Sequence, residues 1–189
     1  MLALGGSDCE ALRAAWLGQP VNSLTSLAYV AAGAYVLRRG GPAGPALALG
    51  AVGIGSVLYH GPMPPGAEVV HDGSIAVLVG ALLAGAWRRR RSLPRPPVPA
   101  LVALGAAVAV NLLSRTGAPL CRPGSLVQGH GAWHVLTAVA VGAWLVCWPS
   151  PGSARRVPAP IGTTAAASGD TGSGDAVAGA DAGRDPGAG

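Results

Sequence analysis

The sequence predicts an all-α fold: a polytopic transmembrane helix bundle with five spans. Three observations carry that expectation. Half of the 189 residues are hydrophobic and only 11% are charged, against about 25% in soluble domains. Five apolar runs of helical length follow one another, separated by stretches rich in Pro, Gly and Arg. The basic residues, all arginine, gather where apolar runs end, as topology signals do.

Residues 1–20 read as a polar extracytoplasmic lead, with Trp16 near an interface. Met1 to Gly6 lacks the basic region of a signal peptide, so the first span is expected to drive insertion. That span is residues 21–37, near the lower limit of roughly 17–25 residues, and Arg38 and Arg39 close it. The second is residues 43–60, whose Gly and Ala content lets helices approach closely in lipid. Gly-Pro-Met-Pro-Pro-Gly at 61–66 breaks any helix. The third span, 69–87, ends in arginines at 88–91, and Pro94, Arg95, Pro96 and Pro97 continue that loop. The fourth is 98–113. Residues 114–125, with Pro119, Cys121 and Pro123, form a loop, and 126–148 form the fifth span.

Beyond residue 148 the chain is Gly, Ala, Ser, Thr, Asp and Pro with few large apolar side chains. It cannot bury enough surface to fold, so 149–189 is expected to be a disordered cytoplasmic tail. Arginines after the first, third and fifth spans place those ends in the cytoplasm and the N-terminus outside. The organisation is a lead (1–20), a bundle (21–148) and a tail (149–189). Trp16, Trp87 and Trp148 fit aromatic interface anchors.

Twelve of the arginines lie within residues 1–156, with four acids. A basic balance can indicate nucleic acid. These arginines have no aromatic interleaving, so nucleic acid is not an expected partner. No P-loop or G-x-S-x-G occurs, and Gly53-x-Gly55-Ser56 lies inside an apolar run, unlike a dinucleotide fingerprint.

The chemistry lies in four histidines: His60, His71, His130 and His134. His130 and His134 share a helix face, as do Ser56 and His60. His60 ends one span, His71 and Asp72 begin the next, and His130 and His134 open the last. On the predicted topology all fall near the extracytoplasmic face. His60, His130 and His134 then supply the three ligands of a catalytic zinc, with a fourth position open to water. Ser56 is placed to orient that water or donate to the developing oxyanion. Asp72 is placed to accept its proton and pass it to the leaving group. His71 is a partner behind the ligands or an interface residue. A lone membrane histidine can be a hydrogen-bonded packing residue, and Ser56 alone can be a packing hydroxyl. Several ionisable groups at one depth argue for a site instead. Trp133 packs beside it. Cys9 and Cys121 both fall on the side where disulfides persist. Their pairing would tie the lead to the loop before the last helix, and the alternative is two free thiols. Cys147, at the cytoplasmic end, is expected to be reduced.

Ser56-x-x-x-His60, then Asp72, then His130-x-x-x-His134 resembles the CREST superfamily of membrane hydrolases, which includes alkaline ceramidases, adiponectin-receptor-like proteins and hemolysin III homologues. Asp8-Cys9-Glu10, the stretch from Gln19 to Leu27, Gly53 to His60, and His130-Gly131-Ala132-Trp133-His134 look like the alkaline ceramidases. The resemblance covers about residues 8–148. It implies zinc held by His60, His130 and His134, a site completed by Ser56 and Asp72, and hydrolysis of the amide of a ceramide-like sphingolipid. It also supports the Cys9–Cys121 link and an outside N-terminus. Ceramidases carry calcium near the N-terminus. Glu10 matches that site, whereas Gln19 and Leu12 depart from it, which argues against calcium here. The family has seven spans, so this chain looks like a reduced version, and a homodimer would compensate for two missing helices.

Two other readings stand beside the hydrolase. One is a non-enzymatic receptor or hemolysin III-like membrane protein whose metal site is structural. The other is a transporter-like bundle with a histidine proton relay and no stoichiometric metal.

Overall fold

The computed structural model describes residues 8–88 and 94–148. Five helices make up the fold, with no strand among the described residues: α1 (Pro20–Arg38), α2 (Ala43–His60), α3 (Ala67–Arg88), α4 (Val98–Leu113) and α5 (Gly129–Val146). α2 and α4 fall on the expected runs, and α3 extends slightly beyond its run at both ends. α5 starts later than expected. The Gln128 side-chain amide donates to the carbonyls of Ser125 (2.7 Å) and Arg122 (3.0 Å). Leu126 to Gln128 therefore belong to the loop. The expected tail, 149–189, lies outside the described residues.

By length and composition, α2 and α3 could each cross a membrane, and α4 is apolar but shorter. α1 and α5 interrupt their apolar sequence with Asn22, Ser23, Ser26, His130, His134 and Thr137. Length and composition thus support two spans where the sequence pattern suggested five.

The helices pack in the order α3, α2, α1, α5, α4, with a lesser contact between α2 and α5. α3 and α4 stand at the two ends of this order and do not pack on each other. Glycines permit close contacts between neighbouring helices. A Cβ on Gly33 would lie 2.5 Å from the Ala46 carbonyl oxygen, and one on Gly55 would lie 2.9 Å from Ser74 Oγ.

Polar side chains are buried beside an apolar core that includes Val36, Leu49, Val52 and Leu145, while many large apolar side chains are exposed. Gln19, Asn22, Ser26, Ser56, His60 and Thr137 are buried, while Val69, Val77, Leu83, Val98 and Val102 are exposed. Trp16 and Trp87 are largely exposed, as interface anchors would be. Trp148 is not: it is 2% exposed and lies over Gly85, where a Cβ would come within 2.5 Å of the indole. The missing side chain at Gly85 opens the slot that takes the ring.

Residues 8–19 form a strap across one end of the bundle. Cys9 and Cys121 form a disulfide, and the Ala11 N–H donates to the Pro123 carbonyl. Further along, the N–H groups of Gly18 and Gln19 donate to the carbonyls of Gly61 (2.9 Å) and His60 (2.7 Å). Glu10 ties the strap to α1. Its two carboxylate oxygens accept the N–H groups of Val21 (2.9 Å) and Asn22 (2.8 Å). These are first-turn donors that α1 leaves unsatisfied, and a carboxylate is favoured there by the helix dipole.

Candidate metal centre

The strap and three helix ends bring His60, His130 and His134 together. Ligand atoms of the three rings lie within 4.8 Å of one another, the only such group of three or more among the described residues. His60 sits on the last turn of α2, whereas His130 and His134 lie on successive turns of α5.

Each ring is held at Nδ1. His60 Nδ1 is 2.6 Å from Gln19 Oε1, and the Gln19 amide nitrogen donates to the Glu10 carbonyl, which sets which end of the amide faces the ring. His130 Nδ1 is 3.2 Å from Asn111 Oδ1 on α4. His134 Nδ1 is 3.2 Å from Thr25 Oγ1 and 3.3 Å from Ser26 Oγ. Both hydroxyls already donate to backbone carbonyls on α1, so towards the ring they accept. All the partners of the three Nδ1 atoms are therefore acceptors. With these partners accepting, each imidazole can hold its proton on Nδ1 and present a lone pair at Nε2.

This is the arrangement that orients histidine ligands in metal sites. His60 Nε2 is buried and has no hydrogen-bond partner. A buried polar atom left unpaired is costly, and a divalent ion would satisfy it. Three neutral imidazoles suit zinc, and also copper, iron or nickel.

Asp8 adds a carboxylate. Its two oxygens lie 3.7 Å from His60 Nδ1 and 3.6 Å from His130 Nδ1. It is placed by Cys9, which follows it, is fully buried and takes a left-handed backbone with φ 65°. A negative group behind two imidazoles raises their basicity as ligands.

Ser56 lies one turn before His60, with Oγ 2.8 Å from Ser26 Oγ. A cavity of about 290 Å³ opens beside the rings, lined among others by Ser56, His71, His130, Trp133 and His134. His71 stacks on Tyr59, with ring centroids 4.9 Å apart. Asp72 is elsewhere: 68% exposed, it touches the group only through His71 Nδ1, 2.9 Å from its Oδ1. The structure thus joins His60, His130, His134 and Ser56, sets His71 on the cavity wall and leaves Asp72 outside it. Glu10 serves as the cap of α1.

Sequence reasoning missed Asp8, Gln19, Thr25, Ser26 and Asn111 as site residues. Asn111 carried a usable signal, a polar side chain inside an apolar run. Thr25 and Ser26 looked like ordinary packing hydroxyls. Comparison of the chain with family models, with curated proteins and with solved structures gives no match in any of the three.

Proposed function

We propose that the protein is a zinc-dependent membrane hydrolase that cleaves the amide, or an ester, bond of a ceramide-like lipid. The membrane half rests on the many large apolar side chains left exposed on the helices, with all five helices as spans and the strap outside. α4 rises about 24 Å, short of a hydrocarbon core of roughly 30 Å, a mismatch that local thinning accommodates at modest cost.

The chemical half rests on one observation: three imidazoles, two buried and one half-buried, each held at Nδ1, with ligand atoms within 4.8 Å of one another. His60, His130 and His134 would hold zinc, which would supply Lewis-acid chemistry at neutral pH. Ser56, steadied by Ser26, orients the water or donates to the oxyanion as the carbonyl is attacked. Asp72 orients His71, and His71, on the cavity wall, takes the proton and returns it to the leaving amine.

Elemental analysis of the purified full chain, beside a His130→Ala/His134→Ala double variant, tests the site. About one zinc per chain in the parent and none in the variant is expected, and a parent without stoichiometric metal defeats the proposal. Fatty-acid release from a labelled N-acyl lipid, lost in Asp72→Asn with zinc retained, tests the reaction.

One observation favours a second reading, a receptor-like protein with a structural metal. Asp72 is 68% exposed and is not among the residues that line the cavity. Stoichiometric zinc without turnover on lipid amides or esters would decide for that reading.

A further inference from the structure

Arg13, Arg115 and Arg122 take no part in the metal centre and depart from the pattern of the other arginines. The rest lie after the first, third and fifth apolar runs or in the tail. These three stand at the strap end of the bundle, where the positive-inside bias does not account for them. The strap and the α4–α5 loop bring them together. Cys9 is bonded to Cys121, the Cys9 N–H donates to Thr116 Oγ1 at 3.2 Å, and the Ala11 N–H donates to the Pro123 carbonyl at 3.1 Å. Arg115 and Arg122 adjoin those contacts in the chain, and Arg13 lies two residues past Ala11. All three are exposed, and none forms an ion pair among the described residues. The same two segments carry only two acids, and both are engaged: Asp8 faces the rings and Glu10 caps α1. The exposed acids of this end, Glu68 and Asp72, belong to α3. Apolar side chains accompany the arginines. Val127, Leu126 and Trp16 are the most exposed large apolar residues among those described, at 83%, 79% and 77%, and none is on a helix.

We infer that the strap and the α4–α5 loop form an interfacial site for the phosphate of an anionic lipid headgroup, held by Arg13, Arg115 and Arg122. The inference rests on the membrane half of the proposed function and not on the hydrolase chemistry. A guanidinium presents a planar fork of donors that matches phosphate oxygens two at a time. Three of them with no exposed acid on their own segments make a positive field that an anionic headgroup complements. The apolar side chains decide for a lipid as the source of the phosphate. A free phosphate ion would engage the arginines and leave Trp16, Leu126 and Val127 in water. At the headgroup level a tryptophan has an apolar body in the membrane and a polar edge in water, while leucine and valine reach the first carbons of the acyl chains. A single-stranded nucleic acid would need several aromatic platforms, and these two segments hold one aromatic residue, Trp16. The Cys9–Cys121 bond keeps the two halves of the patch side by side.

The test is native mass spectrometry of the full chain, released from micelles that hold equal amounts of phosphatidylglycerol and phosphatidylcholine. The parent is expected to retain phosphatidylglycerol in preference. Near an anionic surface each arginine strengthens binding about fivefold, so Arg13→Gln/Arg115→Gln/Arg122→Gln weakens retention at this site roughly a hundredfold and leaves phosphatidylcholine unchanged. The three side chains are exposed, and an unchanged Tm with Cys9–Cys121 still oxidised shows that the variant is folded. Combined with Arg38→Gln/Arg39→Gln at the opposite end of the bundle, the losses are expected to add, because separate sites hold the lipids. A triple variant that retains phosphatidylglycerol as the parent does overturns the inference. Equal loss of both lipids also overturns it, since the contact is then apolar, and so does displacement by excess inorganic phosphate, since the ligand is then a free ion. Alkaline carbonate extraction of membranes containing the parent reads the spans separately. A chain that resists extraction while the triple variant matches the parent sinks the patch alone. A chain that is extracted, yet whose lipid preference needs the arginines, keeps the patch and sinks the spans.

Discussion

α1, α2 and α5 pack together and bury Asn22, Ser26, Ser56, His60, His134 and Thr137. α3 and α4 each lean mainly on one neighbour and turn Val77, Leu83, Val102 and Leu112 outward. The inner helices therefore carry most of the buried polar groups, while exposed apolar side chains occur on all five helices. In water this distribution would leave large apolar side chains wet while hiding polar ones. Next to lipid the same distribution costs little, because hydrocarbon gains nothing by expelling valine or leucine. The inner polar groups are tolerable only because they bond to one another, down to the Tyr29–Thr137 pair at 2.6 Å. Asn22 is an exception, since both side-chain polar atoms are buried without a partner, and we have no physical account of it.

The contrast breaks most completely at the rings. Removing His130 and His134 together takes two of three ligands from the centre, so bound metal is expected to fall from about one per chain to none. Melting the parent and the variant with and without chelator then separates metal-linked stability from the rest. Metal that survives the double substitution would show that the inner helices do not hold it.

Next in size is the strap. Cys9→Ser opens a loop closed over a separation of 112 residues. A disulfide is worth about 2–4 kcal/mol, with longer loops at the upper end. The Tm of the variant should drop below that of the oxidised parent and match that of the parent under reductant. Affinity for added metal should fall with it, because Asp8 and Gln19 reach the rings from this strap.

Val77→Arg probes the edge. Val77 lies midway along α3 and is 61% exposed. Against lipid, an arginine at mid-helix costs about 2.5–3.5 kcal/mol of insertion free energy. Against water, a surface change of this kind stays within about 0.5 kcal/mol. The inserted fraction in a membrane-integration assay distinguishes the two, and an unchanged fraction would sink the membrane assignment of α3.

The smallest effect is expected at Gln19→Ala. His60 loses the acceptor that fixes its tautomer, and such losses lower metal affinity about 10–100-fold. A competition titration with a coloured chelator reads that change. Equal affinity would mean that Asp8, 3.7 Å away, is sufficient to hold the ring.

Much of this was legible in the chain. Pro and Gly at 61–66 and the arginines at 38, 39 and 88 end helices for local reasons, and α2 and α4 fall where the apolar runs do. The pairing of Cys9 with Cys121 was one of two open alternatives, and the structure decides for the bond. The gathering of His60, His130 and His134 was foreseen from helix periodicity and chain order. The start of α5 was not, because Leu126 and Val127 are apolar and only the Gln128 bonds show that they belong to the loop. Trp148 also misled, since a terminal tryptophan looks the same whether it anchors an interface or fills the slot over Gly85. The position of Asp72 outside the cavity had no sequence signal.

The sequence by itself determined the helices, their breaks and which ring pairs share a face. Those follow from interactions within a few residues, such as the turn that separates His130 from His134. Tertiary structure alone decided which nitrogen of each ring is free and where the cavity opens. The acceptors that set the tautomers are 41, 19 and 109 residues away in the chain, and the opening exists because α3 and α4 never meet. No local pattern encodes contacts, or missing contacts, over such separations.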